Sequence, residues 1–569
     1  MKILPVEKIR EADQFTIKNE PIADIDLMER AARKCTDWLA RNIPLDKHLK
    51  IFAGTGNNGG DGFAIARMMA KEGYATQVYL PGSPDKLSES CRINYERFLQ
   101  MPDASSQSPV ASRQSPVASH QSPVASRQSQ VTSSQSPVAS RQSPVASRQS
   151  PVASRQSPVA RIRIIKENEQ LPELHAEHDI IIDAIFGSGL TRPVSGFQAK
   201  IIEHINNCKV PVIAIDVPSG LFCDKTMHDS GKPVVIHASH SLTFSPPKLA
   251  FFFPENDPFT GRWHLMDIGI SSEFTDTIDT RNYFTEADDC RMILKPRNSY
   301  AHKGHFGHAL LFCGGRGKMG AAILAARSCL RSGPGLVTVH IPSEGIPILQ
   351  TAVPEAMLSI DSSPAIFSEV PDLSPYSAIA VGPGIGQNEQ TQRSLKLLIQ
   401  NATQPIIFDA DAINILGENK TWIPFIPKGS IFTPHPKEFE RLCGKSSDHF
   451  ERNRMQREFS IKYGVFTILK GAHTAITTPE GRCYFNPTGN PGMATGGSGD
   501  VLTGIIAGLK AQGYSSFESC ILGVYIHGLA GDLAETIIGQ EALIAGDIID
   551  HIGKAFKTLA GDRAFENIV

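Results

Sequence analysis

Short apolar runs alternate with amphipathic stretches along almost the whole chain. LKIFAG (49–54) reads as a buried strand ending at Gly54, a helical pattern runs from Asp61 to about Gly73, and ATQVYL (75–80) reads as the next strand. DIIIDAIFG (179–187), FQAKIIEHINN (197–207) and VPVIAID (210–216) repeat the strand–helix–strand order. Unbroken apolar strands separated by helices imply parallel strands covered on both faces. A second series opens with strand ALLFCGG (309–315) and helix GAAILAARSCLRSG (320–333). It continues through strands LVTVHIP (336–342), AIAVGPG (378–384), PIIFDADA (405–412) and IFTPHP (431–436), and ends in a glycine-rich turn feeding helix VLTGIIAGLK (501–510). The polar, acidic segment Ser271–Asp289 separates the two series. The predicted fold class is α/β in two domains, 1–280 and 281–569, the first a Rossmann-like three-layer unit.

Residues 105–160 break this pattern. Near-copies of QSPVASR open at Gln107, Gln114, Gln121, Gln128, Gln135, Gln142, Gln149 and Gln156. The period is seven, yet proline recurs and apolar positions are sparse, so no coiled-coil seam can form. The composition predicts a disordered insert at a crossover of the first domain. Its arginines (Arg113, Arg127, Arg141, Arg148, Arg155) have no acid beside them, so the formal net charge of -2 averages a basic insert with a mildly acidic remainder. Neither part is charged enough to predict a nucleic-acid partner. At 41% hydrophobic residues over 569 positions the chain can bury large cores. The ten cysteines form no close-spaced cluster, as in a reduced, cytoplasmic protein. No apolar run approaches the roughly 18 residues of a membrane span, and none is expected.

Candidate chemistry clusters at strand ends. GTGNNGGDG (54–62) follows a strand and opens a helix, the setting in which backbone N–H groups hold phosphate. A dinucleotide-binding unit would place an acid at the end of the second strand; here that strand ends Tyr79-Leu80-Pro81-Gly82. A bare glycine turn would only pack closely, but Asn57, Asn58 and Asp61 add ligand-facing groups. Asp183 and Asp216 sit inside or at the end of apolar runs, followed by Gly187-Ser188-Gly189 and by Ser219. A carboxylate in such a place needs a partner or a cation. In the second half, Asp409 and Asp411 are placed either to bind Mg²⁺ or to cap a helix. His435 lies between two prolines. GNPGMATGGSGD (489–500) places Asp500 at the lip of a helix N-terminus suited to anions.

GTGNNGGDG, IIDAIFGSGLTRP and IDVPSG, in that order, resemble the NAD(P)H-hydrate epimerase family. HKGHFGHALL, GAAILAA, VGPGIG, DADAIN, TPHPKEF, LKGAHT and GGSGD resemble the ADP-dependent NAD(P)H-hydrate dehydratases of the ribokinase-like superfamily. The resemblance covers the chain except the repeat; Lys437 stands where many relatives have glycine. It implies that Asn57, Asn58, Gly59, Gly60, Asp61, Gly187, Ser188, Gly189, Leu190, Thr191, Arg192, Pro193 and Asp216 contact NADHX or NADPHX. It implies that Asn58, Asp183 and Ser219 coordinate K⁺, oxygen ligands suited to a hard cation. In the second domain it implies that Ala321, Gly384, His435 and Asp500 hold the hydrate. Lys470, Gly471, Ala472, His473, Thr474 and Gly499 would hold ADP, used with Mg²⁺. Asp500 is the expected base and Asp216 the candidate acid–base group of the epimerase. A homo-oligomer is expected. The competing reading is a ribokinase-like small-molecule kinase fused to a non-catalytic ligand-binding module.

Overall fold

A computed structural model describes residues 1–101, 160–227 and 233–561. Among these residues the chain folds around two sheets. The first is entirely parallel, in the order β3-β2-β1-β4-β5-β6-β7. Its strands are β1 (His48–Ala53), β2 (Ala75–Pro81), β3 (Ala160–Ile165), β4 (Asp179–Ala184), β5 (Val212–Ile215), β6 (His240–Phe244) and β7 (Arg262–Met266). The order reverses between β1 and β4, where Phe52 lies beside Asp183 and Ala53 beside Ala184. In open parallel sheets that point leaves a crevice at the strands' C-terminal ends.

The second sheet runs β11-β10-β9-β12-β13-β14-β15-β16-β17-β8. It comprises β8 (Asn282–Phe284), β9 (His308–Phe312), β10 (Leu336–Pro342), β11 (Met357–Asp361), β12 (Ala378–Val381), β13 (Ile406–Phe408), β14 (Ile431–Phe432), β15 (Phe466–Leu469), β16 (Ala475–Thr477) and β17 (Cys483–Phe485). Only the pairs made by β16 are antiparallel. The expected two-domain α/β architecture on parallel sheets is observed.

Several local readings change. The helix predicted from Asp61 starts at Asn57 and runs to Lys71, so the Asn-Asn-Gly-Gly-Asp segment is its first turns and not a loop. β3, β6, β7 and β11 were not predicted, although β3 (ARIRII) alternates arginine with isoleucine. The IFTPHP run is a strand only at Ile431–Phe432, because Pro436 begins a helix ending at Cys443. The predicted insert 105–160 lies outside the described residues except Ala160, which is buried and opens β3. The expected 280/281 border is crossed by the chain start: Ile3 N donates to Asn282 O at 2.9 Å, and the Met1 amine meets Glu286 Oε2 at 2.9 Å. All ten cysteines are free. The helix Ser516–Ile538 is long and apolar enough by composition to cross a membrane; here it packs in the second domain's core through Ile521, Leu522, Ile526 and Ala530.

Candidate functional site

The crevice of the first sheet is a cavity of about 750 Å³. Close backbone packing builds it. A Cβ on Gly54 would meet Ile185 O at 2.0 Å, and one on Gly59 would meet Gly54 O at 1.8 Å. Only glycine lets the helix Asn57–Lys71 sit this tightly on the ends of β1 and β4, which aims its first turn into the cavity. Asn57, Asn58, Asp61, Asp216 and the whole 187–192 stretch line the cavity; Pro193 does not.

Asp216 is the electrostatic centre. Its φ of 64° is left-handed, a conformation that costs a non-glycine residue about 1–2 kcal/mol and is often held at functional sites. Oδ1 lies 2.5 Å from Lys248 Nζ, and Oδ2 accepts the Ser188 N–H at 3.0 Å. Burial alone would raise the Asp216 carboxyl, but the Lys248 ammonium and the Ser188 bonds outweigh it and hold the group below its ordinary value. Lys248 is 2% exposed and also donates to Phe244 O at 2.7 Å. Asp13, on the helix Val6–Asn19, lines the same cavity. Burial pushes its carboxyl up to about 7, Lys248 opposing and Asp216 and Asp24 adding to the rise. Asp61 is raised well above its ordinary value by burial and then by Asp216.

The three oxygen donors expected to hold a cation fall beside this cavity. Asp183 Oδ1 accepts from Ser219 Oγ at 2.6 Å and Oδ2 from Ser219 N at 2.8 Å, while Ser219 Oγ accepts Phe186 N at 2.8 Å. Burial lifts the Asp183 carboxyl to about 6, against these bonds. The amide of Asn58 is buried with neither its oxygen nor its nitrogen partnered. Such an orphan is expensive unless a ligand satisfies it.

In the second domain a cavity of about 500 Å³ opens at the N-terminus of the helix Ser498–Ala511. Gly496, Gly497 and Asp500 line it, facing Lys318, Ala321, Gly384, Asp411 and Glu438. Asp500 stands in the first turn, where the helix end favours anions. Burial and then the nearby Asp409 carboxylate push it up to about 6, with Lys470 opposing. Lys470 Nζ bonds Asp409 Oδ1 at 2.8 Å, and a Cβ on Gly499 would lie 3.2 Å from the same ammonium. Lys470 therefore lies at the glycine turn.

Of the two roles the sequence left open, capping is not taken by the Asp409 side chain. The Asp409 side chain accepts from Thr433 and Thr503 at 2.8 Å each, besides Lys470, and makes no cap bond. Asp411 accepts from Gly386 N and Gln387 Nε2 at 2.9 Å and from Lys318 Nζ at 3.1 Å. His435 does not line the cavity: its Nδ1 caps the helix Pro436–Cys443 by accepting Lys437 N and Glu438 N. Glu438 faces the cavity instead. Gly471 and Ala472 are exposed, Thr474 Oγ1 donates to Gly471 O at 3.1 Å, and the His473 ring turns toward the first domain. No group of three His, Cys, Asp or Glu side chains among the described residues is placed to hold a metal ion.

Asp13, Lys248, Lys318 and Glu438 were missed from sequence. Lys248 had a signal, a lysine fixed between Pro246-Pro247 and the apolar LAFFF run. Asp13 had none, since it lies in an ordinary amphipathic helix far from any glycine turn.

Two α/β domains, each with a polar cavity at the C-terminal edge of its sheet and a buried carboxylate beside a lysine, define a bifunctional enzyme of small-molecule chemistry. The model described as YjeF-related protein N-terminus matches residues 24–250, and the model described as NAD(P)H-hydrate dehydratase matches 309–554. The bifunctional NAD(P)H-hydrate repair enzyme Nnr of Moorella thermoacetica is 31% identical, over 100% of this chain and 99% of that protein. The protein of the same name from Thermofilum pendens is also 31% identical, over 100% and 98%. A solved ADP/ATP-dependent NAD(P)H-hydrate dehydratase from Bacillus subtilis, co-crystallised with ATP and Mg²⁺, is 29% identical with a TM-score of 0.43, over 49% of this chain and 98% of its own. The chain belongs to the bifunctional NAD(P)H-hydrate repair enzymes, which join an NAD(P)H-hydrate epimerase to an NAD(P)H-hydrate dehydratase. The kinase alternative gives way to this.

Proposed function

We propose that the first cavity inverts C6 of NADHX and NADPHX and that the second dehydrates the S epimer at the expense of ADP. The observation that carries the reading is Asp500, a carboxylate raised to about 6 at a helix N-terminus lined by glycine N–H groups. Near that value it is a competent base at neutral pH. Asp500 takes the proton of the C6 hydroxyl as the oxygen attacks the β-phosphorus of ADP; the bond to the α-phosphate oxygen breaks and AMP leaves. The N–H groups of Gly496–Gly499 and the ammonium of Lys470 face the charge on the transferring group. The N1 lone pair then expels phosphate from C6, a C5 proton is lost, and the dihydropyridine ring is restored. Ala321 and Gly384 line the hydrate's side of the cavity, with Glu438 in place of His435. Mg²⁺ bound with the nucleotide would neutralise phosphate charge, and Asp411 and Asp500, which line the cavity, are the carboxylates that would face it.

In the first cavity the hydrate is a hemiaminal. Asp216, held ionised by Lys248, accepts the C6 hydroxyl proton as the C6–N1 bond opens to an aldehyde. Asp13, protonated near neutral pH, faces the same cavity and returns a proton to N1. Reclosure on the other face gives the opposite epimer. K⁺ fits the oxygens of Asp183, Ser219 and the unpartnered Asn58, and there it would neutralise a buried carboxylate and order the 186–189 turn. The test is incubation with mixed NADHX epimers, with and without ADP, following recovery of NADH absorbance. Full conversion needs both domains and ADP. Conversion without nucleotide, or a stable phosphorylated product, would overturn the assignment.

A further inference from the structure

The segment expected to hold ADP, Lys470–Thr474, is built against the first domain. Its exposed residues, Gly471 and Ala472, lead to a histidine whose ring packs on the other domain. The His473 ring lies edge-on to Phe252, with centroids 5.4 Å apart, and tilted against Trp263 at 5.6 Å. Phe252 and Trp263 belong to the first domain, on the turn Leu249–Phe252 and on β7. Phe252 in turn stacks on Phe485 of β17 at 4.6 Å, within a buried cluster that includes Ile3, Phe253 and Ala475. The residue after the histidine is fixed too, since Thr474 O accepts Asn486 N at 3.1 Å. His473 Nδ1 is buried and makes no hydrogen bond. The Asn486 backbone is a hydrogen-bond partner of the ring and acts against the burial that lowers its pKa, while the contacts with Phe252 and Trp263 fix the ring's place. The other end of the loop is tied by Lys470 to Asp409, beside the glycine turn.

We propose that the first domain is a working part of the dehydratase's nucleotide site: Phe252 and Trp263, through the His473 ring, hold the 470–474 loop in the shape that receives ADP. His473 is then a positioning residue and not a catalytic one. Two exposed residues between a half-buried lysine tied to Asp409 and a half-buried ring packed on Phe252 and Trp263 have little freedom, and binding to a preset loop avoids the ordering cost that a free loop would incur. This rests on the reading of 470–474 as the ADP loop.

The test uses the full chain and four variants: His473→Ala, His473→Phe, Trp263→Leu and Lys470→Met. The expected result is a KM for ADP about tenfold higher in His473→Ala and Trp263→Leu, with kcat at saturating ADP within about twofold of wild type. His473→Phe, which keeps the ring, restores the KM. Trp263→Leu leaves the epimerisation rate unchanged, which shows that its first domain is folded. A merely structural role would lower the melting temperature and leave the KM for ADP where it was. An unchanged KM in Trp263→Leu and His473→Ala, with a raised KM in Lys470→Met, sinks the proposal and spares the loop assignment. An unchanged KM in Lys470→Met as well sinks both. If His473→Ala does not fold, Trp263→Leu decides alone.

Discussion

Lys470 Nζ sits 2.8 Å from Asp409 Oδ1, and the two act with opposite sign on the Asp500 carboxyl, Asp409 raising it and Lys470 lowering it. Burial works against the lysine's charge, but Asp409 and then Glu438 more than restore it. The lysine therefore serves both to neutralise a buried acid and to restrain the rise of Asp500. Removing it leaves Asp409 uncompensated and Asp500 beside one more unscreened negative charge. In Lys470→Met the acid limb of kcat/KM for S-NADHX should move upward from about pH 6, in addition to weaker ADP binding. A limb that stays in place or moves down would show that Lys470 and Asp500 are not coupled.

Asp500→Asn removes the base and keeps the shape. Dehydration should fall by about 10²–10⁴, the usual range for loss of a general base, while epimerisation continues at the wild-type rate. Separate assays on pure R and S epimers read the two activities. Full dehydration by this variant would place the base elsewhere.

The first cavity gives the mirror result. Asp216→Asn and Lys248→Met should each abolish R-to-S conversion and leave ADP-dependent dehydration of pure S-NADHX intact, since neither residue touches the second cavity. Lys248→Met is the sharper of the two. It leaves Asp216 buried without its cation, so the carboxyl rises and ceases to be a ready proton acceptor. Wild-type epimerisation in Lys248→Met would refute the role of the pair.

Asp13 makes a pH-dependent claim on stability. Its folded value of about 7 lies above the ordinary carboxylate range, so the folded protein keeps a proton that the unfolded chain has already lost. From about pH 4 to about pH 7 the unfolded state binds fewer protons, and this group's contribution to stability falls as pH rises. Asn at this position carries no such penalty. Asp13→Asn should melt higher than wild type at pH 8, with the difference shrinking toward zero at pH 4, and should epimerise more slowly. A gain that is larger at acid pH would have the wrong sign.

The sequence showed the parts with strong local signatures and hid those made by packing. Gly54, Gly59 and Asp500 stand in turns whose composition has few uses, so their places were legible. The strands β3, β6 and β7 were not, because each is short and polar at alternate positions and β3 follows directly on the repeat. Site residues that act across the fold left less trace. Lys248 reaches Asp216 from 32 positions away, Asp13 comes from a helix before the first strand, and the His473 ring meets a partner more than two hundred residues upstream. His435 was legible as a fixed position but its local partner was not: TPHP holds it at a strand end, and the same rigidity makes it a helix cap.

Cation dependence should separate the two activities. Asn58 has a buried amide with both polar atoms unpartnered and packs against Gly187, next to the Phe186 that bonds Ser219; a K⁺ ion would satisfy its oxygen while offsetting the Asp183 charge. Exchanging K⁺ for choline should slow epimerisation several-fold and leave dehydration of pure S-NADHX unchanged when Mg²⁺ and ADP are held constant. Asn58→Ala removes the orphaned amide and one ligand together, so its epimerisation should be slow in either salt and should no longer respond to K⁺. Equal stimulation of wild type and Asn58→Ala by K⁺ would place the ion elsewhere. Equal stimulation of dehydration would move the cation requirement to the second domain.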